Sequence, residues 1–124
     1  MEKCRICAAE NKLPATKKKV NDAVDFIDSN YSRIDMSLNL VADTIGVNAS
    51  YLSNIFKKEK GCSLSKYLTQ TRLEQAKKYL TEYPDKTLIE IAESIGYSDV
   101  YYFSKNFKKY YGISPSKYQE ERKM

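Results

Sequence analysis

One stretch occurs twice in this chain, and a chain built from two copies of one unit has few folds open to it. The stretch reads LNLVADTIGVNASYLSNIFKKEKGCSLSKY from Leu38 and LIEIAESIGYSDVYYFSKNFKKYYGISPSKY from Leu88. Leu38, Ala42, Ile45 and Gly46 match Leu88, Ala92, Ile95 and Gly96 at an offset of 50 residues. After the glycine the offset is 51: Tyr51, Ser53, Phe56, Lys57, Lys58, Gly61, Ser63, Lys66 and Tyr67 match Tyr102, Ser104, Phe107, Lys108, Lys109, Gly112, Ser114, Lys117 and Tyr118. The second copy therefore carries one extra residue between its glycine and its second helix.

Each copy reads as a helix, a tight turn and a second helix. Leu88, Ile91, Ala92 and Ile95 fall at i, i+3, i+4 and i+7 of one apolar face, and Thr87 with Glu90 forms a T-x-x-E capping box. Gly96 accepts the left-handed conformation that reverses the chain, and small Ala92 lets the next helix cross closely. Ser98 is the expected cap of that helix, with Tyr102, Phe103, Phe107 and either Tyr110 or Tyr111 facing inward. The first copy repeats the logic with Leu38, Val41, Ala42 and Ile45, Gly46, a cap at Asn48, and inward Leu52, Ile55 and Phe56. Two helices joined by a short glycine turn form the unit with which many proteins enter the major groove of DNA. A hairpin used only for packing is the plainer alternative, and two copies with basic tails on the second helices argue against it.

Charge supports a polyanionic partner. The 124 residues hold 21 Lys and Arg against 16 Asp and Glu, a net charge of +5. The informative point is position, because Lys57, Lys58, Lys60, Lys105, Lys108, Lys109 and Lys117 cluster in the repeats. No apolar run approaches membrane-spanning length and no signal-peptide pattern appears, which implies a cytoplasmic protein without a membrane partner. Histidine is absent from the sequence, which excludes ordinary hydrolase triads and mixed Cys/His zinc sites. Of three cysteines, Cys4 and Cys7 form a lone C-x-x-C and Cys62 stands apart, an odd count that fits a reducing compartment. Half a zinc site or a redox pair at Cys4 and Cys7 is disfavoured, because no second ligand pair or strand-helix context accompanies them. The expectation is accordingly a non-enzyme with no cofactor and no metal.

The remaining segments place the repeats. Residues 1–15 mix small, polar and charged types and read as a flexible lead-in or linker. A first helix-turn-helix subdomain spans 16–62 and begins with an amphipathic helix carrying Val20, Val24 or Ala23, Ile27 and Tyr31. Lys17, Lys18 and Lys19 at its start are either solvated or in contact with phosphate. Ser37 caps the first repeat. A central helix spans 63–83, with Leu64, Tyr67 or Leu68, Thr71, Leu73, Ala76, Tyr79 and Leu80 on its packing side, and Pro84 stops it. Its length, about 27 Å at 1.5 Å per residue, can hold two reading helices about 34 Å apart, one turn of duplex. The second subdomain spans 84–124 and closes with a short helix capped by Ser114, with Pro115 in its first turn and Tyr118 in the core.

Subtracting the apolar positions leaves the outward ones. Ser50, Ser53 and Asn54 in the first copy, and Val100, Tyr101, Ser104 and Lys105 in the second, are the candidates for base edges. Asn54 suits adenine, Lys105 suits guanine acceptors, and Val100 or Tyr101 suits a thymine methyl. Lys57, Lys58, Lys108 and Lys109, with Ser37 and Thr87 at the starts of the first helices, are the candidates for phosphates.

These motifs resemble the DNA-binding domain of the AraC/XylS family of bacterial transcription regulators. The resemblance runs from about Val20 to Tyr118. It rests on the A-x-x-I-G turns at Ala42 to Gly46 and Ala92 to Gly96, and on the Y-L-S-x-x-F-K-K-x-x-G run from Tyr51 to Gly61. The R-L-x-x-A-x-x-x-L run from Arg72 to Leu80 and the F-S-x-x-F-K-x-x-x-G-x-S-P-x-x-Y run from Phe103 to Tyr118 complete it. It implies an all-α fold of seven helices, two helix-turn-helix subdomains joined by a long central helix, asymmetric promoter sites and contact with RNA polymerase. Family base contacts map onto Ser50, Ser53, Asn54, Val100, Tyr101 and Lys105. The small serines of the first copy imply weaker or water-mediated readout there. Many relatives join this domain to a sensory or receiver domain, so the expectation leans towards a piece of a longer parent chain. The alternatives carried beside this are a DNA-repair methyl acceptor using Cys4 or Cys7, and an interaction module that does not bind DNA.

Overall fold

Side-chain caps set most of the helix starts. The computed structural model describes residues 15–123, which form α1 (Ala15–Asn30), α2 (Leu38–Ile45), α3 (Ala49–Lys60), α4 (Leu64–Glu82), α5 (Leu88–Ser94), α6 (Val100–Tyr111) and α7 (Pro115–Lys123). The all-α fold of seven helices is the one the sequence implied. Backbone N–H groups at helix starts have no partner within the helix, and a side-chain oxygen that accepts from one is worth about 0.5–2 kcal/mol. Ser37 Oγ accepts from Leu40 N at 3.1 Å, Ser63 Oγ from Lys66 N at 3.1 Å and Ser114 Oγ from Lys117 N at 3.2 Å. The capping box is complete, with Thr87 Oγ1 accepting from Glu90 N at 3.1 Å and Thr87 N donating to Glu90 Oε1 at 2.9 Å. No helix among the described residues is long and apolar enough to cross a membrane. Cys4 and Cys7 lie outside the described residues.

The two turns are built alike up to the glycine. Gly46 and Gly96 sit at φ 77° and 97°, and the residue after each, Val47 or Tyr97, donates its N–H to Ala42 O or Ala92 O at 2.9 Å. Beyond this point the copies diverge. The cap of α6 is Asp99, whose Oδ1 accepts from Tyr101 N at 2.9 Å, and not the expected Ser98. The extra residue displaces the helix start by one position, so that Asp99 aligns with Asn48 at the later offset.

Two apolar cores share one helix. Val20, Ala23, Ile27, Met36, Val41, Ala42, Leu52, Ile55 and Phe56 pack with Leu64 and Leu68 from the first half of α4. Ile91, Ala92, Ile95, Tyr97, Phe103 and Phe107 pack with Leu73, Ala76 and Leu80 from its second half. The central helix is thus a wall of both cores as well as a spacer, and burial of each large side chain contributes about 1.5–3 kcal/mol. Tyr31, just past α1, leans on both. In α1 it is Ala23 and not Val24 that is fully buried.

Helix α6 departs from the expected facing at two tyrosines. Tyr102 and Tyr110 are 58% and 41% exposed, whereas the apolar spacing predicts Tyr102, and either Tyr110 or Tyr111, on the inward face. The buried stripe runs through Phe103 and Phe107 to half-buried Tyr111, at i, i+4 and i+8. A residue one place off this stripe turns about 100° away, and a tyrosine there keeps its hydroxyl in water.

Candidate nucleic-acid interface

On α3 the buried Leu52, Ile55 and Phe56 fix one face, and the helix turns Ser50, Asn54 and Lys57 outward on the other. These lie at i, i+4 and i+7, so they form a single exposed ridge. On α6 the ridge consists of Tyr101, Lys105 and Lys108, each 51 positions after its counterpart and each exposed. The duplicated sequence therefore folds into a duplicated surface, with polar Ser50 and Asn54 on one unit and Tyr101 and Lys105 on the other. Tyr101 is 84% exposed, a large ring held in solvent that contributes little to the fold. Lys58 and Lys109 are exposed beside the ridges, while Ser53 and Ser104 are half-buried at their flanks.

Val100 is the base-contact candidate that the fold draws inward. As the first residue of α6 it packs in part against the second core, so its methyl groups are divided between that core and the surface. Tyr51 and Tyr102 are exposed tyrosines that sequence reasoning did not assign to the surface. They occupy matching positions next to Ser50 and Tyr101 and are 43% and 58% exposed. Their identity across the repeat was the available signal, but tyrosine fits either face of an amphipathic helix and periodicity alone did not place it.

Charge is graded along both ridges. Neither α3 nor α6 has an acidic residue in its first turn, and Lys57, Lys58 and Lys60 or Lys108 and Lys109 fill the last turn. The lysines sit against the negative end of the helix dipole, where the fold itself tolerates them well. The caps differ: Asn48 is neutral, whereas Asp99 brings a carboxylate to the entering end of α6.

The two remaining phosphate candidates are not equivalent. Ser37 uses only an acceptor lone pair in its cap. Thr87 is committed, since its hydroxyl and its N–H both engage the Glu90 carboxylate, at 3.2 and 2.9 Å. The Thr87 N–H, and after it the hydroxyl, hold the Glu90 carboxyl below its usual range. A negative charge therefore already occupies the start of α5, which makes Thr87 a poor phosphate ligand. The structure brings Ser50, Asn54, Lys57, Tyr101, Lys105 and Lys108 into two matching ridges, and it leaves Thr87 and part of Val100 out of them.

A family model of the AraC type, described as a helix-turn-helix domain, matches residues 41–121. The chain belongs to the AraC-type helix-turn-helix family. That family consists of DNA-binding transcription regulators, and its domains bind double-stranded DNA. Among curated AraC-type relatives, the Msm operon regulatory protein of Streptococcus mutans is 38% identical over 90% of this chain and 40% of its own length. The bifunctional transcriptional activator/DNA repair enzyme AdaA of Bacillus subtilis is 31% identical over 98% of this chain and 56% of its own. This chain thus spans about half or less of those relatives. Among solved structures, the C-terminal domain of AraT, a response regulator from Geobacillus stearothermophilus, superposes with a TM-score of 0.83. It is 36% identical and covers 88% of this chain and 89% of its own.

Proposed function

We propose that this AraC-type chain regulates transcription by placing α3 and α6 in successive major grooves on one face of promoter DNA. The observation that carries this reading is the match between the two ridges. Ser50, Asn54 and Lys57 recur as Tyr101, Lys105 and Lys108 at the same places on two helices anchored to opposite halves of α4. Base edges are read by Ser50, Ser53 and Asn54 on one unit and by Tyr101, Ser104, Lys105 and the free part of Val100 on the other. Tyr51 and Tyr102 flank them. Lys57, Lys58, Lys108, Lys109 and Ser37 hold the phosphates and supply affinity that falls with salt. Because the ridges differ in chemistry, the site they select is asymmetric, with the more discriminating half under α6.

In this reading the chain acts in the cytoplasm by binding and not by catalysis. It contacts RNA polymerase from its promoter site, and in a longer parent it is coupled to a sensory or receiver domain. Selection of bound duplexes from a random pool, followed by footprinting, tests the central claim. Two protected major-groove segments about one helical turn apart are expected. A single protected segment, or no retention of duplex at low salt, overturns it. Mass spectrometry after incubation with methylated DNA checks the non-catalytic reading, which a methylated Cys4 or Cys7 would defeat.

A further inference from the structure

Arg72 lies midway along α4, where the helix passes from one core to the other, and its guanidinium touches both units. Its Nε donates to Tyr31 O at 2.8 Å and its Nη2 to Arg33 O at 2.7 Å, which fastens it to the segment after α1. These carbonyls follow the C-terminal end of α1, where acceptors outnumber donors and the dipole is negative. α1 has no basic residue of its own in its last turn, so a cation from α4 serves it instead. The receiving segment is itself braced, because Arg33 grips Asp35 through two bonds of 2.9 and 2.7 Å.

On its other side the same guanidinium lies over the Tyr97 ring, 5.5 Å from the centroid. Tyr97 is buried in the turn between α5 and α6 and touches α6 at three points. Its ring meets Tyr102 and Phe103 at 5.8 and 5.6 Å between centroids, and its hydroxyl accepts from Asn106 Nδ2 at 3.3 Å. The side of the guanidinium that faces Gly96 is closely packed. A Cβ on Gly96 would come within 2.8 Å of Arg72 Nη2 and 2.9 Å of Tyr31 O, so the second turn closes directly onto the first unit. The first turn has no such neighbour, since a Cβ on Gly46 would meet nothing within 4 Å.

We propose that Arg72 is a positioning residue that locks the two helix-turn-helix units in one relative orientation, through the line Tyr31 and Arg33 carbonyls, guanidinium, Tyr97, α6. Continuity of α4 fixes the distance between units but allows bending and torsion where its packing changes partner; a planar fork bound to two carbonyls on one unit and stacked on an aromatic ring of the other removes that freedom. The consequence for recognition rests on the two-groove reading above. A rigid pair of readers gains from having the second site at high effective concentration only at the spacing it was set for.

Two measurements separate the clamp from that reading. Spin labels at Asn54→Cys and Lys105→Cys, in a full chain with Cys4, Cys7 and Cys62 replaced by Ser, report the distance between ridges without DNA. One narrow distribution is expected with Arg72 and a broad one with Arg72→Gln, at a temperature where circular dichroism shows both chains folded. A width unchanged by the substitution overturns the proposal, since a residue that merely added stability would lower the melting point and leave the distribution narrow. If Arg72→Gln does not fold, Arg72→Lys gives the same readings, because it keeps the charged stem and loses the fork.

In unlabelled protein, five base pairs inserted between the selected half-sites should weaken binding about tenfold or more with Arg72, and less than about threefold with Arg72→Gln. A broadened distribution with no change in spacing dependence would leave the clamp standing and count against simultaneous engagement of two grooves.

Discussion

Asn48 and Asp99 hold the same place in the two copies, and each accepts a backbone N–H two residues on: Asn48 Oδ1 from Ser50 N at 2.8 Å, Asp99 Oδ1 from Tyr101 N at 2.9 Å. Geometry is shared and charge is not. Asn48→Ala and Asp99→Ala should each cost about 1 kcal/mol, seen as a melting point lower by about 3–5 °C. Asp99→Asn keeps the acceptor and removes an anion from the end of α6 that the proposed docking turns towards DNA. Stability should change by less than about 0.5 kcal/mol, while affinity for any duplex at low salt rises severalfold. Titration at two salt concentrations checks this, and unchanged or weaker binding would show that Asp99 does not approach DNA.

The two turn glycines should respond differently to the same substitution. Both need a positive φ, which costs a side chain about 1–2 kcal/mol. Gly46→Ala should lose about that much and no more, because the space beside it is open. Gly96→Ala must also displace the Arg72 guanidinium and the Tyr31 carbonyl. It should therefore be the more damaging by at least about 1 kcal/mol, measured by urea unfolding of both variants.

Lys105 and Lys108 lie on one ridge but at different heights along α6. Lys105→Ala should alter the preferred sequence, with the loss concentrated at one or two base pairs and worth about 1–3 kcal/mol there. Lys108→Ala should weaken specific and random duplex alike and reduce the salt slope by about one. Competition binding against a panel of single-base changes tells the two apart. Parallel losses on every sequence for both substitutions would contradict the assignment.

Alkaline pH should loosen the first unit through Tyr67. Its hydroxyl donates to Asp28 Oδ1 at 3.0 Å, which links α4 to α1. Burial first, then the Asp28 carboxylate, pushes the phenol up to about 12. A folded value above the usual 10 means that the proton is held more tightly in the folded state. This stabilisation is intact below pH 10 and is lost as pH rises towards 12. Tyr111 is pushed up to about 12 as well, chiefly by burial, so the second unit should weaken over the same range. Tyr67→Phe should cost about 0.5–1.5 kcal/mol at neutral pH and flatten the alkaline fall of the melting temperature. Melts at pH 8 to 11.5 measure this, and an unchanged slope in the variant would remove Tyr67 as the cause.

The exposure of most candidate contact residues was legible in the residues alone. Ser50, Asn54, Lys57, Lys105 and Lys108 face outward as the apolar spacing requires, and the helix starts at Ser37, Asn48, Thr87 and Ser114 follow from local side-chain chemistry. The failures share a cause. Ser98 and Asp99 are both good caps; the 51-residue offset pairs Asp99 with Asn48, and burial of Tyr97 in the turn carries the helix start to it. Tyr102 fits an apolar or a wet face equally well, and Val100 at a helix start can lean either way.

Sequence by itself determined two copies of one unit, the caps of most of the helices, and the outward placement of Ser50, Asn54, Lys57, Lys105 and Lys108. The caps and the outward placement depend on residues within about four positions of each other, where helix geometry is nearly invariant. Tertiary structure alone decided that α4 would wall both cores, that Tyr97 would be buried, and that Arg72 would reach carbonyls 41 and 39 residues away. Those outcomes depend on which surfaces meet in space, and a guanidinium selects its acceptors only after packing has brought them within reach.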